Sequence, residues 1–298
     1  MTIYNQISQN KWKTYLILGI FVFIFTGLFY LIGNYFDSPG IYLFLGLAIS
    51  LGSGFFSYFY SDKMVLWANK AVPADKKTYF DFYTVAENLA IATGLPKPKL
   101  YVIDDPSPNA FATGRDPTHA VVCATTGLLD MMNREELEGV ISHELSHVKN
   151  YDILVASIVS VLVGTIAVVA DWIMRSFWWG FGGRDREREN QNPIMFLFLI
   201  IALILSPIAA TLIQLAVSRK REYLADASGA LITRNPEGLA SALEKIGNYH
   251  MPMSHVSSAT AHLFISNPMK TKKVGSWFAN LFSTHPPIEE RIKILRNM

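Results

Sequence analysis

The stretch that decides the fold is EGVISHELSHVKN, residues 138–150. Within it, His143, Glu144 and His147 form the pattern H-E-x-x-H. At about 100° per residue on a helix, the two histidines lie together on one side and the glutamate lies beside them. The apolar side chains of the same segment form a stripe on the roughly opposite face: Leu137, Ile141, Leu145 and Val148. This is the geometry in which two imidazoles bind zinc and a neighbouring carboxylate acts as a base.

The start of this helix is also marked in the sequence. Asn133 precedes the periodic segment and Glu136 follows it by three residues, a pair that is typical of a capping box. We therefore predict a helix over Arg134–Asn150 that carries both histidines.

The composition is that of a membrane protein. Of 298 residues, 51% are hydrophobic and 17% are charged, which is too apolar for an ordinary soluble domain. The net charge is only +2 and no basic block alternates with aromatics, so nucleic-acid binding is not expected. The single cysteine, Cys123, cannot form an internal disulfide, and we expect a small buried hydrophobe in a reducing compartment.

Uncharged apolar runs account for this hydropathy. About 20 apolar residues cross a bilayer core, and the third run, which has fewer, would still cover about 27 Å as a helix. The first run is too long for a secretory signal and is not followed by a small-residue cleavage motif. We predict four transmembrane helices, from Tyr15–Phe36, Ile41–Tyr60, Ile153–Ala170 and Ile194–Val217.

The distribution of basic residues predicts the topology. Lys11 and Lys13 precede the first run, Lys63 follows the second, and the basic triplet 219–221 follows the fourth. The positive-inside rule then places the N-terminus and both non-membrane segments in the cytoplasm. The arginines between the third and fourth runs oppose this rule, so shallow insertion of the second hairpin stays open.

The predicted organisation alternates membrane and cytoplasmic parts. An N-terminal hairpin over 1–60 precedes cytoplasmic segment 61–152, and a second hairpin over 153–217 precedes cytoplasmic segment 218–298. The fold class is α+β and predominantly helical, with a small β-sheet in the cytoplasmic domain. The elements predicted for the first segment, besides the histidine helix, are a helix over Lys76–Thr93 and strands over Leu100–Ile103, Ala110–Thr113 and Ala120–Ala124.

A catalytic zinc needs a third protein ligand, which spacing alone leaves open. The stretch SRKREYLADAS, residues 218–228, is favoured because it places Glu222 and Asp226 at i and i+4 of one helix. Glu222 could then bind the metal while Asp226 accepts the free N–H of His143. The alternative is a charged helix cap in which Glu222 balances its neighbouring arginines. The other candidates in this segment are acids and the histidines His250, His255, His262 and His285.

Together these motifs resemble a known family. HELSH followed by REYLAD resembles the gluzincin peptidases, whose third zinc ligand is a glutamate with an aspartate four residues later. More narrowly, the chain resembles the HtpX family of bacterial membrane-bound heat-shock metallopeptidases, relatives of the CAAX prenyl protease. The resemblance covers nearly the whole chain in the family's order: NAFATG (109–114), ISHELSHVKNYD (141–152), SRKREYLADA (218–227), AHLFISNP (261–268) and STHPPIEERI (283–292).

This resemblance implies a zincin-like cytoplasmic domain with one zinc ion per subunit. It implies that His143, His147 and Glu222 are the ligands and that Glu144 is the general base. The zinc-bound water would attack the scissile carbonyl while Glu144 takes its proton and later passes it to the leaving amine.

Three further positions follow from the same resemblance. His285 matches the position that stabilises the developing oxyanion, and its alternative is a loop histidine made rigid by the prolines that follow it. Asp226 and Arg291 are expected behind the ligands and the oxyanion site.

NAFATG is expected to be an edge strand to which an extended substrate adds as another strand. In that arrangement Asn109, Ala110 and Phe111 contact the substrate, with Asn109 holding one peptide group. The alternative is that Ala110 and Phe111 are ordinary core and Asn109 caps a turn.

The implied protein is a membrane-anchored zinc metalloendopeptidase of the bacterial inner membrane. It would hydrolyse unfolded, misfolded or damaged membrane proteins on the cytoplasmic side during heat or envelope stress. Its partners would be those substrates and the lipid bilayer. The alternatives are a metal-sensing or transport protein without hydrolysis, and a prenyl-protein peptidase. A second metal near His250, His255 and His262 is a weaker hypothesis than a mobile loop.

Overall fold

The computed structural model describes residues 3–35, 37–181, 205, 207–213, 218–254, 256–257, 259–269 and 286–298. Its helices and strands confirm a predominantly helical α+β chain with a small mixed sheet. In chain order they are α1 (Ile3–Tyr35), α2 (Pro39–Ala68), β1 (Val72–Pro73), α3 (Phe80–Thr93), β2 (Lys99–Ile103), β3 (Ala110–Thr113), β4 (Val121–Thr125), α4 (Thr126–Met131), α5 (Arg134–Lys149), α6 (Asp152–Phe181), α7 (Arg219–Thr233), α8 (Pro236–Asn248) and α9 (Ile288–Leu295).

The described residues contain three helical stretches that are long and apolar enough to cross a membrane. They are Gln6–Asn34, Pro39–Ala68 and Asp152–Asp171, and they contain the first three predicted runs except the last two residues of the first, Tyr35 and Phe36. The fourth run, Ile194–Val217, lies mostly outside the described residues, although 207–213 are helical.

Helices α1 and α2 form an antiparallel hairpin. Asp37, with a φ of 52°, turns the chain, and Pro39 opens α2, where a missing N–H costs no hydrogen bond. Gly46 allows close contact, because a Cβ there would lie 2.5 Å from the Cβ of Phe29. Phenylalanines of α1 pack with apolar side chains of α6 in one buried cluster, which joins the third span to the hairpin.

The sheet has the strand order β1-β2-β4-β3. Strands β2 and β4 are parallel, while β1 and β3 are antiparallel to their neighbours. The three predicted strands are confirmed to within a residue at each end, and β3 is an edge strand as NAFATG predicted. Cys123 is fully buried in β4 and packs with Phe111 and Phe264, as expected for a small hydrophobe.

The amphipathic helix predicted from Lys76 was placed too early, because α3 begins only at Phe80. The carboxylate of Asp75 accepts hydrogen bonds of 2.8 Å from both the N–H and the hydroxyl of Thr78. This local turn competes with helix formation over the intervening residues. The predicted end is correct, since Gly94 adopts the left-handed conformation that terminates α3.

Helix α5 begins with the predicted capping box. The Asn133 side chain accepts from the Glu136 N–H, and the Glu136 carboxylate accepts from the Asn133 N–H, both at 2.9 Å. Unlike a helix with one exposed face, α5 is buried along most of its length on all sides. Its neighbours include β3, α3, α7 and α8.

Two glycines allow this close packing around α5. A Cβ on Gly139 would lie 2.6 Å from the backbone nitrogen of Leu239 in α8. A Cβ on Gly229 of α7 would lie 3.1 Å from the backbone nitrogen of His143. Helix α7 therefore crosses α5 at His143, which brings its acidic first turns close to the histidines.

We predict that Gly139→Ala lowers the free energy of unfolding by about 1–3 kcal/mol, because rigid backbone blocks the new methyl group. Thermal unfolding of the purified protein in detergent measures this as a melting temperature several degrees lower. Gly164→Ala is the matched control, because a Cβ at this helical glycine meets nothing within 4 Å. Equal melting temperatures for the two variants would contradict the packing argument.

Candidate metal centre

The structure brings the side chains of His143, His147 and Glu222 together. One donor atom of each lies within 4.8 Å of the others, and within the described ranges these residues form the only such group that could hold a metal ion. The two imidazole Nε2 atoms are 3.1 Å apart. Carboxylate oxygens of Glu222 lie 3.9 Å from His143 Nε2 and 3.5 Å from His147 Nε2.

This donor set fits zinc. Tetrahedral coordination with bonds of about 2.0–2.1 Å separates ligand atoms by about 3.3 Å, and two nitrogens plus one carboxylate are ligands that catalytic zinc uses. The three observed separations of 3.1, 3.5 and 3.9 Å bracket that value. Three ligands also leave the fourth position open, as a catalytic site requires.

A second layer of charged groups fixes the orientation of His143. Its Nδ1 lies 2.8 Å from a carboxylate oxygen of Asp226, the contact that the i, i+4 spacing suggested. Asp226 is held in turn by Arg291, whose Nε and Nη2 donate hydrogen bonds of 2.8 and 2.7 Å to its two oxygens. Arg291 is fully buried, and despite burial its charge holds the pKa of Asp226 at about 2. Such a carboxylate fixes the ring orientation of a histidine ligand.

His147 has its own carboxylate partner, which we did not predict. Asp152 Oδ2 lies 3.0 Å from His147 Nδ1, and Asp152 Oδ1 accepts a 2.9 Å hydrogen bond from Arg221. In the sequence, Asp152 marks only the polar start of an apolar run, five residues after His147. The sequence carries no local signal for this contact, because it depends on the sharp turn of the chain at Tyr151, which has a φ of 60°.

Glu144 lies against the same cavity and is almost completely buried. Burial is the largest cause that raises the pKa of its carboxyl group to about 7, and the charge of Glu222 raises it further. Opposing contributions come from His147, Arg291 and a hydrogen bond from the backbone of Ala112 in the edge strand. A base whose pKa is near the working pH is well matched to proton transfer, and a bound dication would lower it.

The edge strand contacts the chain's own residues 265–266. Ala110 C=O accepts a 2.9 Å hydrogen bond from the Ile265 N–H. The Asn109 side chain donates to the Ser266 carbonyl at 3.0 Å and accepts from its N–H at 3.3 Å. Phe111 is fully buried against Phe264. Substrate contact by Asn109, Ala110 and Phe111 stays a prediction, and pairing at Ala110 requires residues 265–266 to move.

Of the remaining histidine candidates, those that the structure describes are not joined to the cluster as ligands. His285 and His255 lie outside the described residues. His250 is exposed, whereas His262 is buried and lines the cavity, with its Nε2 3.3 Å from the carbonyl oxygen of Ala156 in α6. Among the described residues, neither His250 nor His262 belongs to a group of three potential metal ligands.

A helix with two histidines and a buried glutamate, completed by a glutamate from a second helix, defines a metallopeptidase site. The comparisons agree, since the model of peptidase family M48 matches residues 80–298. A protein named Protease HtpX homolog from Caldanaerobacter subterraneus subsp. tengcongensis is 50% identical over the whole chain and 98% of its own length. A homologue of the same name from Thermoanaerobacter pseudethanolicus is 48% identical over the same shares of the two chains.

A solved structure supports the fold independently. Ste24p from S. mikatae superposes with a TM-score of 0.50 over 94% of this chain at 22% sequence identity. The chain spans 63% of that longer protein, and at this sequence identity the similarity concerns the fold alone. The chain belongs to peptidase family M48 and, within it, resembles the HtpX proteases along its full length. It is a membrane zinc metalloprotease.

The charge state of His147 predicts a pH-dependent metal affinity. Burial alone would lower its pKa, but the hydrogen bond to Asp152 and the charges of Glu222, Asp152 and Glu144 raise it to about 9 in the metal-free protein. Zinc binds the neutral imidazole, so below that pKa a proton must leave. We expect affinity to rise about tenfold per pH unit from pH 6 to 8 through this group.

Chelator competition at several pH values, corrected for the chelator's own protonation, measures this slope. Calorimetry in buffers of different ionisation enthalpy should show release of about one proton per zinc from this group. Asp152→Asn, which removes the main favourable partner of the imidazolium, should give a shallower slope. An affinity that does not change between pH 6 and 8 would contradict the assignment.

Proposed function

We propose that the chain is an endopeptidase that binds one zinc ion and cleaves unfolded or misfolded membrane proteins at the cytoplasmic face of the bacterial inner membrane. The observation that carries this proposal is the position of the site. Only Asn150 and Tyr151 separate the ligand helix α5 from the membrane helix α6. A substrate that leaves the bilayer therefore meets the metal centre at the membrane surface.

The contacts of α1 support the cytoplasmic orientation. The ammonium group of Lys11 lies 4.5 Å from the ring centroid of Tyr151, next to the metal helix. The lysine-flanked end of the first span and the metal site are therefore on the same side of the membrane. By the positive-inside rule that side is the cytoplasm.

The residues present supply the chemistry of peptide hydrolysis. His143, His147 and Glu222 would hold the zinc, which as a Lewis acid polarises the scissile carbonyl and acidifies water. Glu144 takes a proton from the attacking water and delivers it to the leaving amine. Burial keeps this carboxylate in a low-dielectric environment where it acts as a base near neutral pH. His285 is proposed, as the family position implies, to stabilise the developing oxyanion.

The cavity walls favour apolar substrate side chains. Beside the metal-site residues and other polar groups, the cavity is lined by Ile153 and Ala156 of α6 and by Leu263 and Ile265. Side chains of this kind favour aliphatic or aromatic residues over charged ones. Membrane segments that have lost their native packing expose such residues.

A metal-sensing protein without hydrolysis would not need Glu144. Burial of a carboxyl group beside the metal ligands costs free energy unless that group has a task. The buried position of Glu144 therefore favours the peptidase. A transporter is also disfavoured, because polar residues suited to a pathway are rare in the described spans.

Replacing Glu144 by Gln tests the mechanism. We expect zinc content to stay at one per chain, while cleavage of an unfolded membrane protein falls by a factor of about 10²–10⁴ because the base is lost. Glu138→Gln is the matched control on the same helix, where the carboxylate is a third exposed and pairs with Arg134. Cleavage by the Glu144→Gln protein at the wild-type rate would contradict the role of Glu144 as the general base.

Replacing Glu222 by Gln tests the third ligand. A neutral amide is a poorer ligand than a carboxylate, so zinc affinity should fall by at least about tenfold. Chelator competition on the purified protein measures the change, and Glu237→Gln on the exposed face of α8 serves as the control. A zinc affinity equal to that of the wild type would exclude Glu222 as a ligand.

A further inference from the structure

The joint between the metal helix and the third membrane span has an unusual backbone. Helix α5 ends at Lys149 and α6 begins at Asp152. Tyr151, between them, has a φ of 60°, a left-handed conformation that is uncommon for a residue other than glycine. Such a conformation persists where neighbouring groups hold it in place, and it sets the direction in which Asp152 leaves the joint.

Helix α1 supplies groups that hold this joint. The amide nitrogen of Asn10 donates hydrogen bonds of 2.9 Å to the carbonyl of Asn150 and 2.8 Å to Oδ1 of Asp152. Lys11 lies over the ring of Tyr151 in a cation–π contact. Asn10 is 6% exposed, so its amide is removed from water and depends on these partners.

The same asparagine also contacts the second ligand helix. Arg221 Nη1 lies 3.5 Å from Oδ1 of Asn10 and donates at 2.9 Å to Oδ1 of Asp152. Arg221 is the residue before Glu222 in α7. Asn10 therefore touches groups next to both ligand helices, although it precedes them in sequence by more than a hundred residues.

These contacts determine how Asp152 faces His147. Asn10 and Arg221 both bind Oδ1 of Asp152, which leaves Oδ2 directed at His147 Nδ1, 3.0 Å away. With both donors on one oxygen, the carboxylate cannot rotate without losing two hydrogen bonds. A purely structural role for Asn10 in holding helices together would not require its contact with Asp152, the carboxylate that orients His147.

We propose that Asn10 is a positioning residue for the metal centre, so that the first membrane helix forms part of the catalytic machinery. It acts on His147 through Asp152, and the site reaches its full metal affinity only when α1 is docked on the joint. This inference rests on the proposed peptidase function for its kinetic consequence, but not for its effect on metal binding.

The test is a double-mutant cycle on the full-length protein in detergent or nanodiscs. Outer partners of a metal ligand typically contribute about 10–100-fold to metal affinity or activity. We expect Asn10→Ala to weaken zinc binding by about tenfold and to lower kcat more than it changes KM. Asp152→Asn should weaken zinc binding further. The double variant should bind zinc as Asp152→Asn alone does, because Asn10 acts on His147 only through Asp152.

The control and a second variant keep the proposal falsifiable. Asn34→Ala removes an exposed asparagine near the other end of α1, whose side chain bonds only within its own helix in the described residues, and should leave zinc affinity unchanged. Asn10→Gln keeps the amide and should stay within about threefold of the wild type. If the alanine variant is not recovered from membranes, Asn10→Leu replaces it, because it removes the amide at similar side-chain volume and should show the same loss of zinc affinity.

Two results would overturn the proposal. The first is a double variant whose loss of zinc-binding free energy equals the sum of the losses of Asn10→Ala and Asp152→Asn. The second is an Asn10→Ala protein with a lower melting temperature but unchanged zinc affinity. Zinc binding to the wild type and to each variant is measured without a substrate. A wild-type protein that binds zinc but does not cleave would therefore count against the peptidase function alone, and the cycle would still decide the role of Asn10.

Discussion

The buried ion pair between Arg291 and Asp226 is the interaction on which the centre depends. Arg291 is fully buried, and a guanidinium in that environment without a carboxylate would cost several kcal/mol, on the order of 3–5. Helices α7 and α9 must therefore pack so that the two side chains meet. The pairing then fixes Asp226, which in turn orients His143.

The same guanidinium also reaches the segment that covers the edge strand. Arg291 Nη1 donates at 3.2 Å to the carbonyl of Ile265 and lies 3.9 Å from Glu222. Arg291 therefore contacts a proposed metal ligand (Glu222), the carboxylate behind another (Asp226) and the segment that covers the edge strand. A displacement of that segment would break the hydrogen bond between Arg291 and Ile265.

Much of this organisation could be predicted from the sequence because its causes are local. Helical phase places His143 and His147 on one face, Asn133 and Glu136 mark the helix start, and alternating short strands are bounded by proline and glycine turns. Glu222 and Asp226 were favoured for the same reason, since their spacing on one helix is a local property. Arg291 was expected only because the chain resembles a family.

What could not be predicted depends on contacts between distant parts of the chain. The partners of Asp152 in the part of the chain that the structure describes, Asn10, His147 and Arg221, lie outside its own helix, and its role follows from the sharp turn at Tyr151. Asn10 in the sequence is an ordinary polar residue before an apolar run. The occupation of the edge strand by residues 265–266 requires the whole domain to be folded, and so does the need for glycine at 139 and 229.

The two-residue joint between α5 and α6 has a mechanical consequence. A span of 20 residues covers about 30 Å, so a thinner or thicker bilayer is normally accommodated by a change of helix tilt. A change of tilt at the metal-proximal end of α6 is restricted, because Tyr151 contacts Lys11 of α1 and Asp152 is bound by Arg221. Hydrophobic mismatch would then be taken up at the far end of α6 or reach the imidazole of His147 through Asp152, and the bilayer thickness would in that case affect the metal centre.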